Sequence, residues 1–348
     1  MIIQVGHYPP PIGGISMYIK RMKDALYTHG IENQVWDISN INKSADRVVK
    51  MPLRFLSVPL YYAVKQNVTL IHYNIPGTLI KNYVGFFNRL FFKKRPKLLT
   101  IHGDCRGLFA KKKGLIRKSL NSFNAIICVK KNDREYLLNQ GVSTHVYEIP
   151  AFIPPTVQET EIAEISQRVW DFINAHRPVV AASACKIVFR NAQDLYGLDM
   201  CIDLCANLKK DYPQIGVVFC LPHIGDCEYF EKMKQAIMKK GIENNFLFHT
   251  RHCQLYPIIM RSDVFVRPST TDGDAVSVRE ALHFKTPTVA SDVAPRPERT
   301  ILFRNRDVDD LTSKVGDLLD NYESHKRKLE GVKLEDNFEK IMKVYQGL

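Results

Sequence analysis

The chain has 348 residues, enough for roughly two domains of about 150 residues each. Its hydrophobic share of 45% and charged share of 24% are ordinary for a soluble globular protein, and no long apolar run is present that would span a bilayer. The N-terminal residues lack the basic and long apolar segments of a signal peptide, so we expect a first core strand there. Eight scattered cysteines without a C-x-x-C pair favour a reduced, cytoplasmic setting.

The positive charge is concentrated in the first half. Residues 1–150 carry 23 Lys and Arg against 8 Asp and Glu, whereas the remainder carries 26 against 28. Two runs, 89–97 and 111–118, mix cations with large apolar side chains, which favours an anionic membrane surface. Nucleic acid is a less favoured partner because no recognition motif accompanies the runs, and a merely solvated basic face is the third alternative.

The first predicted elements are a strand over Met1–Val5 and a helix from Met17 to Thr28, with Ser16 as its cap. The loop between them contains three prolines and the pair Gly13 and Gly14, which permits close backbone approach. A strand, a glycine turn and a helix are typical of a phosphate or substrate loop. The loop matches neither G-x-G-x-x-G nor a P-loop, so a dinucleotide fingerprint and an NTPase are not supported.

Strands and helices then alternate through the first half. The predicted strands are Asn33–Trp36, Leu70–Tyr73, Leu98–His102, Ala125–Val129 and Val146–Ile149, and the predicted helices are Pro52–Lys65, Leu79–Phe91 and Asp133–Gln140. This alternation predicts a parallel sheet with helices on both faces. Because ligands of such sheets gather at the carboxyl ends of the strands, His102 is either a polar group at a reaction centre or a hydrogen-bonded structural residue.

The proline-rich stretch Pro150–Pro155 marks a domain boundary. After it the alternation restarts, with strands at Val179–Ala184, Gly216–Leu221, Phe246–His249 and Val264–Arg267, and helices at Leu198–Lys209, Glu228–Lys239 and Leu255–Arg261. We therefore expect a second doubly wound domain. Lys186 and Arg190 follow its first strand, where they either neutralise a diphosphate or are simply solvated.

Residues 267–298 predict a strand end, a turn, a helix through His283 and a strand over Thr288–Ser291. Asp272 lies in the turn and Glu280 in the helix. Both carboxylates are thus expected near one helix N-terminus, where backbone N–H groups and the helix dipole attract anions. A sugar nucleotide needs acceptors for its hydroxyls and donors for its diphosphate, and this arrangement offers both. The alternative is a capped helix with a solvated acidic turn.

Four segments in this order resemble motifs of the family-four retaining glycosyltransferases of bacterial surface-polysaccharide type. They are P-x-x-G-G-I (Pro10 to Ile15), T-I-H-G (Thr100 to Gly103), Y-G-L-D-M-C-I-D (Tyr196 to Asp203) and D-G-D-A-V-S-V-R-E-A-L-H-F-K-T-P-T-V-A-S (Asp272 to Ser291). The resemblance implies an α/β GT-B fold, with two Rossmann-like doubly wound domains facing across a cleft. Residues 1–155 would bind the acceptor, 156–330 the nucleotide sugar, and 331–348 would form a helix packing back on the first domain.

The resemblance also implies roles for individual residues. His102 would line the reaction centre, Asp272 would contact the donor sugar, and Glu280 would bind the nucleotide ribose. The other residues expected to bind the donor are Gly13, Gly14, Lys186, Arg190, Gly273, Asp274 and Ala275. The chain departs from the family pattern at Asp272 (usually Glu), Lys285 (commonly Gly), Tyr196 (usually Lys) and in the spacing of its two cations.

The activity implied is retaining transfer of a hexose from a nucleotide sugar, with a UDP-sugar favoured, by front-face attack assisted by the leaving diphosphate. From the charge we expect a polyprenyl-diphosphate-linked saccharide acceptor at the inner face of the membrane, with the protein cytoplasmic and peripheral. No cofactor, metal or nucleic acid is expected. One alternative is a metal-dependent transferase using Asp272-Gly273-Asp274 as a D-x-D motif. The other is a non-catalytic basic nucleic-acid-binding or scaffold protein.

Overall fold

The computed structural model describes residues 1–10, 13–42, 44–110, 113–272, 275–331 and 336–348. It divides into two compact units. The first unit comprises Met1–Thr156 together with Glu335–Leu348, and the second comprises Val157–Leu334. Within the described residues, every helix is too short or too polar to span a bilayer.

The first unit is built on a parallel sheet. Its strands are β1 (Ile2–Gly6), β2 (Asn33–Asp37), β3 (Val48–Lys50), β4 (Leu70–Asn74), β5 (Lys97–Ile101), β6 (Ala125–Cys128) and β7 (His145–Glu148). They lie in the order β3-β2-β1-β4-β5-β6-β7, and all neighbouring pairs are parallel. The strand order reverses between β1 and β4, as in a doubly wound Rossmann sheet. Both of these strands are buried along their whole length, because helices cover both faces.

Over the described residues, five α-helices connect these strands: α1 (Gly14–Thr28), α2 (Val58–Val64), α3 (Thr78–Leu90), α4 (Lys113–Leu120) and α5 (Asp133–Asn139). Short 3₁₀ helices occur at Arg54–Ser57 and Cys105–Phe109. The C-terminal helix, Asn337–Gln346, packs its apolar face into the cluster that also buries Ile19 and Met22 of α1. Asn337 Nδ2 donates to the Phe152 carbonyl at 2.9 Å and fixes the start of that helix.

Helix α1 begins earlier than the sequence indicates. Ser16 lies inside its first turn, where its hydroxyl accepts from the Gly13 N–H at 2.9 Å and donates to the Gly13 carbonyl at 3.0 Å. The prediction of Ser16 as the cap preceding the helix was therefore wrong. The serine still satisfies backbone groups at the helix start, but from the third helical position.

The second unit repeats the same design. Its main sheet contains β8 (Val179–Ser183), β11 (Gly216–Cys220), β12 (Phe246–His249), β13 (Val264–Arg267), β14 (Thr288–Ser291) and β15 (Ile301–Phe303). The parallel order is β12-β11-β8-β13-β14-β15, which again reverses, here between β8 and β13. Its helices are α6 (Glu159–Ala163), α7 (Gln167–Ala175), α8 (Leu198–Leu208), α9 (Cys227–Lys239), α10 (Tyr256–Met260), α11 (Val276–His283), α12 (Val308–Asp320) and α13 (Tyr322–Glu330).

A small antiparallel hairpin interrupts the connection from β8 to α8. It pairs β9 (Phe189–Arg190) with β10 (Gln193–Asp194). The two loop residues, Asn191 and Ala192, have φ values of 50° and 58°. Two consecutive left-handed residues are the geometry of a type I′ turn, which matches the twist of a two-residue hairpin.

Candidate active site

The carboxyl edge of the second unit's sheet carries the acidic turn that the sequence singles out. Strands β8 and β13 are neighbours there, and they end at Ser183 and Arg267. Arg267 Nη1 donates to the Ser183 carbonyl at 3.1 Å, so this side chain bridges the point where the strand order reverses. Such a reversal opens the crevice in which doubly wound sheets bind their ligands.

Three side-chain donors of the described residues hold the Asp272 carboxylate. Its Oδ2 accepts from Arg267 Nε, Arg296 Nη1 and Ser269 Oγ, each at 3.0 Å. Burial by itself raises the pKa of Asp272, but the charges and hydrogen bonds of the two arginines outweigh it and hold the pKa below the ordinary value. Asp272 is therefore an ionised acceptor in a fixed position, as a contact to sugar hydroxyls requires.

Arg296 connects the Asp272 turn to the end of β14. Its side chain is 2% exposed. Nε donates to the Ser291 carbonyl at 3.1 Å, while Nη2 lies 3.2 Å from Ser291 Oγ and 3.4 Å from Ser269 Oγ. Because all three nitrogens have protein partners, Arg296 has a positioning role. Sequence reasoning missed both arginines, although a cation closing the apolar run of β13 was a usable signal for Arg267.

The β9–β10 hairpin also contacts the acidic turn. Arg190 Nη1 donates to Thr271 Oγ1 at 3.2 Å, and the Thr270 N–H donates to the Leu195 carbonyl at 2.9 Å. Lys186 is exposed and makes no hydrogen bond or ion pair with the described part of the chain. Of the two cations predicted to hold the diphosphate, only Arg190 is thus brought to the loop that carries Asp272.

Helix α11 follows the turn and carries Glu280, whose side chain is buried. Ala275 caps the helix, and its carbonyl accepts from the Val278 N–H at 3.1 Å. Gly273 and Asp274, which we predicted to bind the donor, lie outside the described residues. Over the part of the chain that is described, no group of three or more His, Cys, Asp or Glu side chains is placed to hold a metal ion.

The end of α11 explains one departure from the family pattern. Lys285 has a φ of 61°, in the left-handed region that glycine adopts most readily. Its N–H donates to the Leu282 carbonyl, and the Thr286 N–H donates to the Ala281 carbonyl. This pair of bonds is a Schellman motif, which normally ends in glycine. The Lys285 ammonium also donates to the Leu329 carbonyl at 2.9 Å, a contact that glycine could not make.

In the first unit, His102 lies just beyond β5 and pairs with the end of β4. Its Nε2 is 2.9 Å from Asn74 Oδ1, and its ring meets Tyr18 edge-on at 4.8 Å. Burial, helped by the charge of Lys81, lowers the pKa of His102 to about 3. The ring is therefore neutral at physiological pH. With Nε2 donating to Asn74, Nδ1 is an acceptor without a partner among the described residues.

A second buried histidine was missed by the sequence analysis. His72 Nδ1 lies 2.7 Å from the Tyr345 hydroxyl and Nε2 lies 2.7 Å from Thr100 Oγ1. Burial first, and then the charge of His102, lowers the pKa of His72 to about 3. This network joins the C-terminal helix to β4 and β5, so His72 is a structural residue beneath His102.

The glycine turn before α1 is exposed. A Cβ atom on Gly14 would meet no described protein atom within 4 Å, so packing within the described chain does not require glycine there. Packing does require glycine at Gly6, where a Cβ atom would lie 2.4 Å from Ile19 Cδ1 and 2.8 Å from the Asn74 carbonyl. Gly13 and Gly14 therefore present open backbone, as the predicted approach of a ligand requires.

Comparison with known proteins defines the class. Residues 184–321 match the family model "Glycosyl transferases group 1". Similar solved structures include Anabaena Alr3699/HepE in complex with UDP-glucose (15% identity, 98% of this chain and 94% of that chain, TM-score 0.57). Others are a sucrose-phosphate synthase from Thermosynechococcus elongatus (17%, 100% and 98%, 0.61) and a glycosyltransferase from Rickettsia africae (11%, 99% and 98%, 0.66). No curated protein sequence matches the chain.

These likenesses confirm the predicted two-domain GT-B fold of Rossmann-like α/β units. The chain is a glycosyltransferase, and the match to the glycosyl transferases group 1 model lies within its second unit, at residues 184–321.

Proposed function

We propose that the protein is a retaining hexosyltransferase that uses a UDP-sugar and a lipid-linked saccharide acceptor in surface-polysaccharide synthesis, such as O-antigen (lipopolysaccharide) or capsule. The observation that carries the proposal is the placement of Asp272 and Glu280 at the carboxyl edge of a doubly wound sheet inside a glycosyl transferases group 1 domain. The UDP preference is supported by a solved structure of the same fold that contains UDP-glucose.

The roles of the two carboxylates follow from their surroundings. Asp272, kept ionised by Arg267 and Arg296, accepts hydrogen bonds from hydroxyls of the donor sugar. Glu280 accepts from the hydroxyls of the nucleotide ribose. The backbone N–H group of Ala275, at the start of α11, donates to the donor molecule at a point where the helix dipole favours negative charge.

The proposed chemistry needs no second catalytic carboxylate. The acceptor hydroxyl attacks the anomeric carbon from the face that the diphosphate leaves, and a departing phosphate oxygen takes the hydroxyl proton. Cations and backbone donors at the carboxyl edge stabilise the charge that develops on the diphosphate. His102, being neutral, accepts from a sugar hydroxyl through Nδ1. We infer that transfer is independent of a metal ion.

The proposal is tested by nucleotide-induced thermal stabilisation of the whole protein with a panel of UDP- and GDP-sugars. We expect at least one UDP-sugar to stabilise the wild type, and Glu280→Ala to abolish that shift while Glu243→Ala, an exposed residue of the same unit, leaves it intact. The absence of any shift across the panel would favour the non-catalytic alternative. Loss of transfer in EDTA with recovery in Mn²⁺ would favour the metal-dependent one.

The membrane part of the proposal rests on an apolar strip on the first unit. The strip consists of large side chains that are 48% to 85% exposed: Leu53, Leu56, Leu60, Val64, Leu79, Phe86, Leu90 and Phe91. Its two halves adjoin, because the Tyr83 hydroxyl of α3 donates to the Leu56 carbonyl at 2.8 Å. Lys93 and Lys94 are exposed directly after the strip.

Exposed apolar side chains beside cations match the interface of an anionic leaflet, which accepts both. Nucleic acid would offer phosphates for the cations but no apolar surface for the strip. We therefore propose peripheral binding at the inner face of the cell membrane, where a polyprenyl-diphosphate-linked acceptor is anchored.

A further inference from the structure

Arg267 occupies the most informative position in the second unit. It is the last residue of β13, and its side chain reaches across to the end of β8, where the strand order reverses. Ligands of doubly wound sheets bind in the crevice that this reversal creates. The Arg267 guanidinium therefore lies at the point of the sheet edge where such a crevice opens.

Arg267 uses only part of its hydrogen-bonding capacity within the described chain. Nε donates to Asp272 and Nη1 donates to Ser183, but Nη2 has no partner among the described residues. The guanidinium carbon lies 4.8 Å from the centre of the Tyr196 ring, which supports one face of the group. The side chain is 12% exposed. The Arg267 guanidinium is thus mostly buried and fixed by its contacts, and its Nη2 is available to donate a hydrogen bond to a ligand.

The local charge is also unbalanced. Arg267 and Arg296 both pair with Asp272, and neither pairs with a second carboxylate among the described residues. Counting only the described carboxylate that pairs with them, the two arginines carry one positive charge more than their partner balances, and an uncompensated charge is costly in a largely buried place. An anionic ligand would remove that cost, and a guanidinium suits phosphate oxygens because its donors are fixed in a plane.

We propose that Arg267 binds a phosphate oxygen of the donor diphosphate through Nη2, and that Arg296 acts through Asp272 as the positioning residue that fixes this guanidinium. The proposal rests on the proposed function, whose site it shares. It moves the principal diphosphate contact from the exposed residues Lys186 and Arg190 to a mostly buried arginine that the sequence motifs do not indicate.

The test is a binding series on the full-length protein by calorimetry, with uridine, UDP and inorganic pyrophosphate as the probes. We expect Arg267→Met to weaken binding of UDP and of pyrophosphate by about 10- to 100-fold and to leave uridine unchanged. Arg261→Met, which removes an exposed arginine of the same unit, is the matched control. Equal weakening of uridine and UDP, or unchanged pyrophosphate affinity, would overturn the proposal.

A second variant guards against loss of fold. Arg267→Gln removes the charge but keeps a donor for Asp272, and unchanged uridine affinity shows that its second unit is intact. Two further outcomes distinguish failure of the proposed function from failure of this inference. If the wild type hydrolyses no sugar nucleotide but binds pyrophosphate through Arg267, the anion site stands without that function. If a UDP-sugar is hydrolysed with the same KM by Arg267→Met, the function stands and this inference is wrong.

Discussion

Gly197 lies directly against the carbonyl group of Pro268. Its φ is +68°, and a Cβ atom built on it would come within 2.6 Å of the Pro268 oxygen. This contact connects the start of α8 to the loop that leads from β13 to Asp272. The position of the acidic turn therefore depends on a residue without a side chain.

Gly197→Ala is expected to destabilise the protein by about 2 to 4 kcal/mol, because it adds a left-handed alanine and a clash with backbone that cannot yield. Gly241→Ala is the matched control. Gly241 also has a positive φ, of +63°, but a Cβ atom there meets nothing within 4 Å, so a cost of about 1 to 2 kcal/mol is expected. Urea unfolding measures both. Equal losses would show that the contact with Pro268 is unimportant.

The β9–β10 hairpin offers a stabilising substitution. Ala192 has a φ of 58°, which glycine adopts without the Cβ penalty. We expect Ala192→Gly to raise the free energy of unfolding by roughly 0.5 to 1 kcal/mol. Gln193→Gly, in the adjoining strand, should lower it instead. A destabilising Ala192→Gly would contradict the type I′ assignment.

Because of His72, the free energy of unfolding should decrease at acidic pH. Its folded pKa of about 3 lies below its ordinary value of 6.5, so the unfolded chain binds a proton between these values that the folded chain does not. The contribution of the neutral His72 to the free energy of unfolding is complete above about pH 6.5. It is lost as the pH falls below that value, with a slope of about 1.4 kcal/mol per pH unit.

We expect His72→Gln to reduce this slope, measured by urea unfolding from about pH 7 to about pH 5. His102 will still contribute, since burial lowers its pKa to about 3 as well. The exposed His145, replaced by Gln, serves as the control. An unchanged slope in His72→Gln would mean that the histidine is protonated in the folded protein.

The apolar strip predicts a specific loss of membrane binding. Replacing both Leu79 and Phe91 by serine should weaken co-sedimentation with phosphatidylglycerol-containing vesicles by about 10-fold or more, because two large apolar side chains no longer enter the interface. The fold should persist, since these side chains are 85% and 66% exposed. Met238→Ser removes a side chain of the second unit that is 64% exposed and should have no effect. Equal binding by all three proteins would remove the support for the membrane proposal.

The buried parallel strands were the most predictable part of the fold. Strands β12, β13 and β14 have the predicted bounds, because each is a short apolar run between polar or turn-forming residues. Strand β3 was missed because it is three residues long and lies at the sheet edge. The β9–β10 hairpin was missed because its turn has alanine where Asn-Gly would be the usual signal.

The candidate site was only half predictable, for a physical reason. The turn with Asp272 and the helix with Glu280 follow from local patterns of turn residues and helical spacing. The pairing of Arg296 with Asp272 joins residues 24 positions apart, through the ends of two neighbouring strands. Local sequence patterns do not say which side chains such a sheet edge brings together, so both arginines had to be found in the structure.

The proposed activity is transfer of a sugar from a nucleotide with retention at the anomeric carbon. Its most direct test is proton NMR of the sugar released or transferred from a panel of α-linked UDP-sugars, with Glu280→Gln as the inactive comparison. We expect release of UDP from at least one donor, an α-configured initial product and no reaction by Glu280→Gln. A β-configured initial product, or no UDP release with any donor in the presence of membrane extract, would contradict it.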